Sequence, residues 1–283
     1  MVRALIEDGH DVLAIDHNSE QPDLDGVQCV RADVADIQLI RGVFELSTPE
    51  AVIHLAANAS VPFSLKNAYE DCRTNVLGTV AMISAAQQVN CSRFVFASTC
   101  ALYDPESIIP LREDMDSRPA SPYGVGKLAC EYYLAASGLS WAALRYGNVY
   151  GPGQKSSGEN AVVSRIINHM LKGDELIING DGEQTRDWIY VGDVIRANMI
   201  ALTHSRKSGI WNIATGIGTS LNEAVAIVQN ITGHDDEVPH GPPVPEQRHI
   251  VLDPSKANKD LDWEPGMTLR AGLAHTIVHW SLD

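Results

Sequence analysis

The stretch MVRALIEDGHDVLAIDH, residues 1–17, decides the fold. ALIEDGH has the spacing of an amphipathic helix in its last turns, closed by a glycine. DVLAID is a short continuous apolar run that stops at an acidic residue, the pattern of a buried strand. The same alternation continues along the chain. Further β-rich apolar runs lie at GVQCVRAD (26–33), AVIHLAA (51–57), RFVFAST (93–99), LSWAALRYG (139–147) and GIWNIATG (209–216). Longer segments with helical spacing, at 68–90, 121–136, 193–204 and 220–232, lie between them. Apolar strands separated by helices predict a parallel sheet covered on both faces, and right-handed crossovers make it a doubly wound α/β sheet of Rossmann type.

After GNVYGPGQ (147–154) the rhythm changes. A helix at about 160–173, a strand-like DELIING (174–180), a Pro-rich HGPPVPEQ (240–247) and a last helix at about 267–281 predict a smaller α/β lobe. The expected division puts 1–150 and about 187–232 in the sheet domain, and about 151–186 and 233–283 in the lobe. The lobe is expected beside the carboxyl edge of the sheet, where open α/β sheets bind ligands.

A chain of 283 residues with 45% hydrophobic content buries a full core. No apolar run is long enough for a bilayer span and no secretory leader is legible, so the cytoplasm is the expected compartment. The five cysteines are scattered without a CxxC pair, which argues against zinc and against a disulfide framework. Thirty-six acidic residues against 21 Lys plus Arg give a net charge of −15, which repels nucleic acid and anionic membrane surfaces.

The chemistry is carried by SPYGVGK, residues 121–127. Tyr123 and Lys127 share one helix face at this spacing, and an ammonium beside a phenol favours tyrosinate, a general base. On spacing alone, a surface tyrosine packed along a lysine stem is the favoured reading. FASTCALY (96–103) adds Ser98 and Thr99 at the end of an apolar strand. A strand-end hydroxyl beside a Tyr–Lys pair is machinery for hydride chemistry at a secondary alcohol, with a nicotinamide as carrier.

Together with these pieces, ADVAD, HLAANASVP, RTNVLGT, LRYGNVYGPGQ, NGDGEQTRDWIYVGDV, NIATG and DPSKANKDLDWEP run in order through almost the whole chain. The sequence resembles the extended short-chain dehydrogenase/reductase superfamily, and within it the NAD-dependent epimerase/dehydratase family of UDP-glucose 4-epimerase type. The resemblance implies catalytic roles for Thr99, Tyr123 and Lys127; Thr99 is chosen over Ser98 by counting back four residues from Tyr103. It implies NAD contacts from Asp16 (adenosine ribose), Asp33 and Val34 (adenine), Leu55, Ala56 and Ala57 (cofactor groove), Asn75, Tyr123, Lys127 and Tyr146. A carboxylate at Asp16 disfavours a 2′-phosphate, hence NAD over NADP. For a nucleotide-sugar substrate, a UDP-hexose, it implies Thr99, Tyr123, Asn148, Arg186 (pyrophosphate) and Glu246 (uridine ribose), and it implies a homodimer through helices 68–90 and 121–136. No metal is expected.

Three departures accompany the resemblance. The family's first strand and its GxxGxxG turn are absent, so the chain reads as N-terminally shortened. PPVPEQ (242–247) puts Pro243 where the family has a second phosphate-binding arginine, with Arg248 five residues on. Cys100 and Ala101 replace the acidic pair of the 4,6-dehydratase relatives, which points away from dehydration. The expected activity is 4-epimerisation by transient NAD-dependent oxidation at C4. The alternatives are an NAD(P)-dependent reductase of a nucleotide-linked keto-sugar and an inactive shortened binding protein.

Overall fold

A computed structural model describes residues 1–17, 26–154, 162–203, 207–234, 237–244 and 247–281. In chain order the elements are α1 (Val2–Glu7), β1 (Val12–Asp16), β2 (Val27–Arg31), α2 (Ile37–Ser47), β3 (Ala51–His54), α3 (Val61–Lys66), α4 (Ala68–Cys72), a π turn (Arg73–Leu77), α5 (Gly78–Gln88), β4 (Arg93–Thr99), a 3-10 turn (Cys100–Leu102), α6 (Pro122–Ala136) and β5 (Trp141–Tyr146). There follow β6 (Asn148–Tyr150), α7 (Val162–Lys172), β7 (Ile178–Asn179), β8 (Thr185–Tyr190), α8 (Val191–Thr203), β9 (Gly209–Ile213), β10 (Gly218–Ser220), α9 (Leu221–Thr232), β11 (His240–Gly241), α10 (Ser255–Leu261) and α11 (Leu269–Ser281). The fold is α/β of Rossmann type. No helix among the described residues is long and apolar enough to cross a membrane.

The chain forms two compact units: residues 1–102, 117–144 and 195–210, and residues 103–116, 145–194 and 211–283. In the first, β1 and β2 pair in parallel with Val12 opposite Val27 and Asp16 opposite Arg31, and β3 pairs in parallel with β4. The strands fall into a β1-β2 ribbon and a sheet ordered β3-β4-β5-β9, whose last two strands run out of this unit at Leu144 and Ile210. Every residue of β4 is buried, as a central strand demands, and Phe94 and Phe96 are wholly inaccessible. Burial of each such ring is worth about 2–3 kcal/mol. DVLAID departs from its expected full burial. Its residues 12–15 are only half-buried, because among the described residues β1 has a ladder partner on one side alone. AVIHLAA also stops being a strand early, at His54, and its LAA tail becomes the loop into α3.

Local chemistry sets the helix starts. Asp36 caps α2, accepting from Leu39 N at 3.1 Å, and Ser60 caps α3, accepting from Phe63 N at 3.0 Å. Each cap is worth about 1 kcal/mol. Ser121 caps α6 through Gly124 N at 3.2 Å, and Pro122 in the first turn donates no hydrogen bond the helix needs. The sequence SPY thereby fixes Tyr123 in the opening turn of α6.

The second unit has its own core, built on Tyr150, Ile166, Ile167, Trp188, Val228 and Leu273. Strand β8 pairs in parallel with β6 and antiparallel with β10, and β7 pairs in parallel with β11. Asp187, wholly buried, accepts from Thr215 N, Thr215 Oγ1, Gly216 N and Leu252 N at 2.6–3.2 Å. One carboxylate thus ties two segments, 215–216 and 252, to β8.

Candidate active site

Helix α6 buries a stripe that contains Tyr123, Lys127 and Glu131 alongside Gly124, Cys130 and Leu134. Three titratable residues four apart on a buried face are costly unless they are partnered or used. Tyr123 is 8% exposed, Lys127 3% and Thr99, the last residue of β4, 9%. The Thr99 hydroxyl accepts from Ala101 N at 3.1 Å and hydrogen-bonds Tyr123, which favours the phenolate. Burial nonetheless dominates and pushes the Tyr123 phenol up to about 12. Lys127 Nζ donates to Ala97 O at 2.7 Å and lies 4.7 Å from the Phe96 ring centroid and 5.9 Å from that of Tyr123. Burial pushes its ammonium down to about 8. At neutral pH the free chain therefore holds a neutral phenol beside a cation.

Ser98 turns elsewhere: its hydroxyl donates to Glu131 Oε1 at 2.5 Å. Asn75 lies in the π turn, 1% exposed. Its Oδ1 accepts from Asn58 N at 2.7 Å, while its Nδ2 donates to Asn58 O and to Asp71 Oδ1, both at 2.9 Å. The Asn75 amide therefore pins the loop that follows β3, and that loop carries Leu55, Ala56 and Ala57. Leu55 is exposed, and both alanines are half-buried.

Asp16 ends β1 with its carboxylate half-exposed, 3.6 Å from His17 Nδ1. Asp33 is more engaged, with Ala35 N on Oδ1 at 2.9 Å and Arg73 Nη1 on Oδ2 at 2.7 Å; these contacts hold its carboxyl below the usual range. Val34 is buried against Gly78, where a Cβ would stand 2.7 Å from Val34 Cγ2. The donor set suits NAD: an exposed carboxylate at a strand's carboxyl end for a ribose diol, small side chains after β3, and a Thr–Tyr–Lys group at the end of β4.

In the second unit Tyr146 ends β5, and Asn148 opens β6 with a buried Oδ1 that has no hydrogen-bond partner. Arg186, on β8, donates to Thr185 O at 2.9 Å and reaches Arg248 O at 3.5 Å. Its neighbour Asp187 is taken up by the N–H groups of Thr215, Gly216 and Leu252 and by the Thr215 hydroxyl. Arg248 forms an exposed ion pair with Asp181 at 2.6 Å. Glu246 lies outside the described residues. Asp71 and Glu131 were not singled out from sequence. Their positions, four before Asn75 and four after Lys127, put them on the faces of those two residues, and that spacing was the available signal.

A family model described as "NAD dependent epimerase/dehydratase family" matches residues 1–214. The chain belongs to this family. Within the family, it is 33% identical to the UDP-glucose 4-epimerase of Mycolicibacterium smegmatis over 98% of this chain and 93% of that protein. The crystal structure of the Thermotoga maritima UDP-glucose 4-epimerase with UDP-glucose superposes with a TM-score of 0.95 at 35% identity, covering 100% of this chain and 95% of that one. The Thermus thermophilus UDP-glucose 4-epimerase in complex with NAD gives 0.92 at 34% identity, covering 99% and 94%.

Proposed function

We propose that this chain interconverts the C4 epimers of a UDP-hexose, of the UDP-glucose and UDP-galactose type, with NAD as resident cofactor. The observation that carries the reading is the buried Thr99–Tyr123–Lys127 group at the end of β4 in a chain of this family. Residues 1–150 and about 187–232 serve the cofactor, and about 151–186 and 233–283 the nucleotide-sugar. Asp16 takes the adenosine ribose, Val34 borders the adenine, and Lys127 holds the nicotinamide ribose. The chemistry NAD supplies when bound is reversible hydride exchange with the sugar's C4.

The chain's own groups move the proton. Tyr123 takes the C4 hydroxyl proton on its phenolate oxygen and returns it when the keto-sugar is reduced on its other face. Thr99 holds the same sugar oxygen by hydrogen bond. The Lys127 ammonium and the Thr99 hydrogen bond both favour the phenolate, against the burial that holds the phenol up at about 12 in the free chain. Asn148 Oδ1, an acceptor with no partner in the free chain, takes a substrate donor, and Arg186 binds the diphosphate as a fork. With Cys100 and Ala101 after Thr99, no carboxyl group sits there to eliminate water.

The second copy in a homodimer docks on α4, the π turn and α6. Tyr69 (78% exposed), Leu77 (55%), Val125 (53%) and Tyr132 (69%) present apolar surface there. The test of the reading is a coupled assay of UDP-galactose to UDP-glucose conversion with NAD supplied. Tyr123→Phe should lose at least about a hundredfold in kcat. Wild-type protein that binds NAD and UDP-hexose without interconverting them would sink the epimerase assignment.

A further inference from the structure

Beneath the Tyr–Lys pair lies a carboxylate that the reaction scheme leaves unused. Asp71, on α4, is 1% exposed. Its Oδ1 accepts from Asn75 Nδ2 at 2.9 Å, and its Oδ2 is buried with no hydrogen-bond partner. Helix α4 packs on α6 at Gly126, where a Cβ would stand 3.9 Å from Asp71 Oδ2. The carboxylate is thus applied to α6 one residue before Lys127 and three after Tyr123. An unpaired buried carboxylate is expensive unless a charge nearby compensates it. Lys127, with a single hydrogen bond to a neutral carbonyl, has the matching deficit.

We propose that Asp71 is the buried counter-charge that keeps Lys127 an ammonium, a positioning residue for the Tyr–Lys pair. The proposal deepens the epimerase reading and rests on it for its kinetic consequence alone. The groups facing Lys127 are consistent with it. On its own helix stand Tyr123, Cys130 and Glu131, and the Glu131 carboxylate already accepts from Ser98. From β3 comes His54, held neutral by burial. Cys100 borders Tyr123 from the 3-10 turn. Around Asp71 itself, Arg73 is bound to Asp33 and Glu70, while Lys66 on α3 and Tyr69 and Cys72 on α4 are exposed. Lys127 is the cation whose charge bears on Asp71. The carboxylate has a second effect: it orients the Asn75 amide, since only Nδ2 can face it, and so sets which way the loop at Asn58 is gripped.

The chain has seven lysines, few enough for lysine 13Cε resonances to be followed through a pH titration and Lys127 assigned with Lys127→Arg. In wild type its midpoint should fall near about 8. Asp71→Asn should lower it by about one pH unit, and Asp71→Glu should restore it. The alkaline limb of the kcat profile should move down with it while KM for the UDP-hexose stays unchanged. In the unmutated protein a carboxyl 13C resonance, absent from Asp71→Glu, should step at the Lys127 midpoint, a readout that survives if Asp71→Asn does not fold. An unmoved midpoint in a folded Asp71→Asn, or no carboxyl step in wild type, overturns the proposal. The titrations need no substrate, so they stand or fall separately from the epimerase activity.

Discussion

Acid should weaken the first unit through one imidazole. His54 is 3% exposed at the end of β3, between Phe94 and Phe96 with ring centroids 6.0 Å away. Its Nε2 lies 3.0 Å from Thr79 Oγ1, and Thr79 spends its own proton on Asn75 O at 2.6 Å. The hydroxyl therefore accepts, Nε2 carries the hydrogen, and Nδ1 is the site left to protonate. Protonation would place a cation in an apolar stack within the field of Lys127, so the folded-state value falls to about 3 from 6.5. Below pH 6.5 the unfolded chain binds the extra proton and the folded chain does not, so stability falls as pH falls, down to about pH 3. At pH 5 the interval is 6.5 − 5, or 1.5 pH units, worth about 2 kcal/mol. His54→Gln keeps an N–H for Thr79 and removes the titration. Urea unfolding of both proteins at pH 7.5 and pH 5 isolates the term, since the carboxylates common to both cancel in the difference. The variant should lose about 2 kcal/mol less than wild type over that interval. Equal losses would refute the buried-imidazole reasoning.

Other consequences are as direct. Gly124→Ala would drive a Cβ into Ala101 O and place it 2.8 Å from Pro119 Cβ; the start of α6 must then shift, costing about 1–3 kcal/mol in thermal or urea stability and a larger share of kcat than of KM. Arg186→Ala should raise KM for UDP-hexose by about tenfold or more, the loss of charge-assisted bonds to a diphosphate, with NAD binding by calorimetry unchanged. Tyr132→Glu, on an exposed position of α6, should convert a dimer to monomer in light scattering, and a wild-type monomer would refute that interface.

The sheet was legible because its strands are long enough to carry a pattern. RFVFAST occupies β4 from end to end, and its uninterrupted apolar run is what burial on both faces selects. The short strands β6, β7, β10 and β11, of two or three residues each, hold too few residues for any period. Their place is set by partners such as the Asp187 junction, which brings residues 187, 215 and 252 together. Helix α2 went unread although Ile40 and Phe44 lie four apart, because that one pair is all that its eleven residues bury. At the site, Tyr123, Lys127 and Thr99 were readable as residue types that make one chemistry. Asp71 and Glu131 were not, since acidic residues on a helix ordinarily face water, and only the packing of α4 and α6 reveals that these two do not.

The π turn at Arg73–Leu77 makes the length of its helix a counted quantity. It carries one residue more than an α turn needs, and it joins α4 to α5 in the phase that lines up Asp71, Asn75 and Thr79 toward the interior. Deleting Arg73 or Thr74 would return the backbone to ordinary α geometry and shift Asp71 by one residue relative to Asn75. The deletion would be neutral or even favourable for the helix, yet it would change the four-residue spacing at which Asn75 meets Asp71 and so unclamp the loop at Asn58. Relatives that keep the buried Asp–Asn pair should therefore never differ by one residue between these two positions, whatever happens to the length of the loops around them.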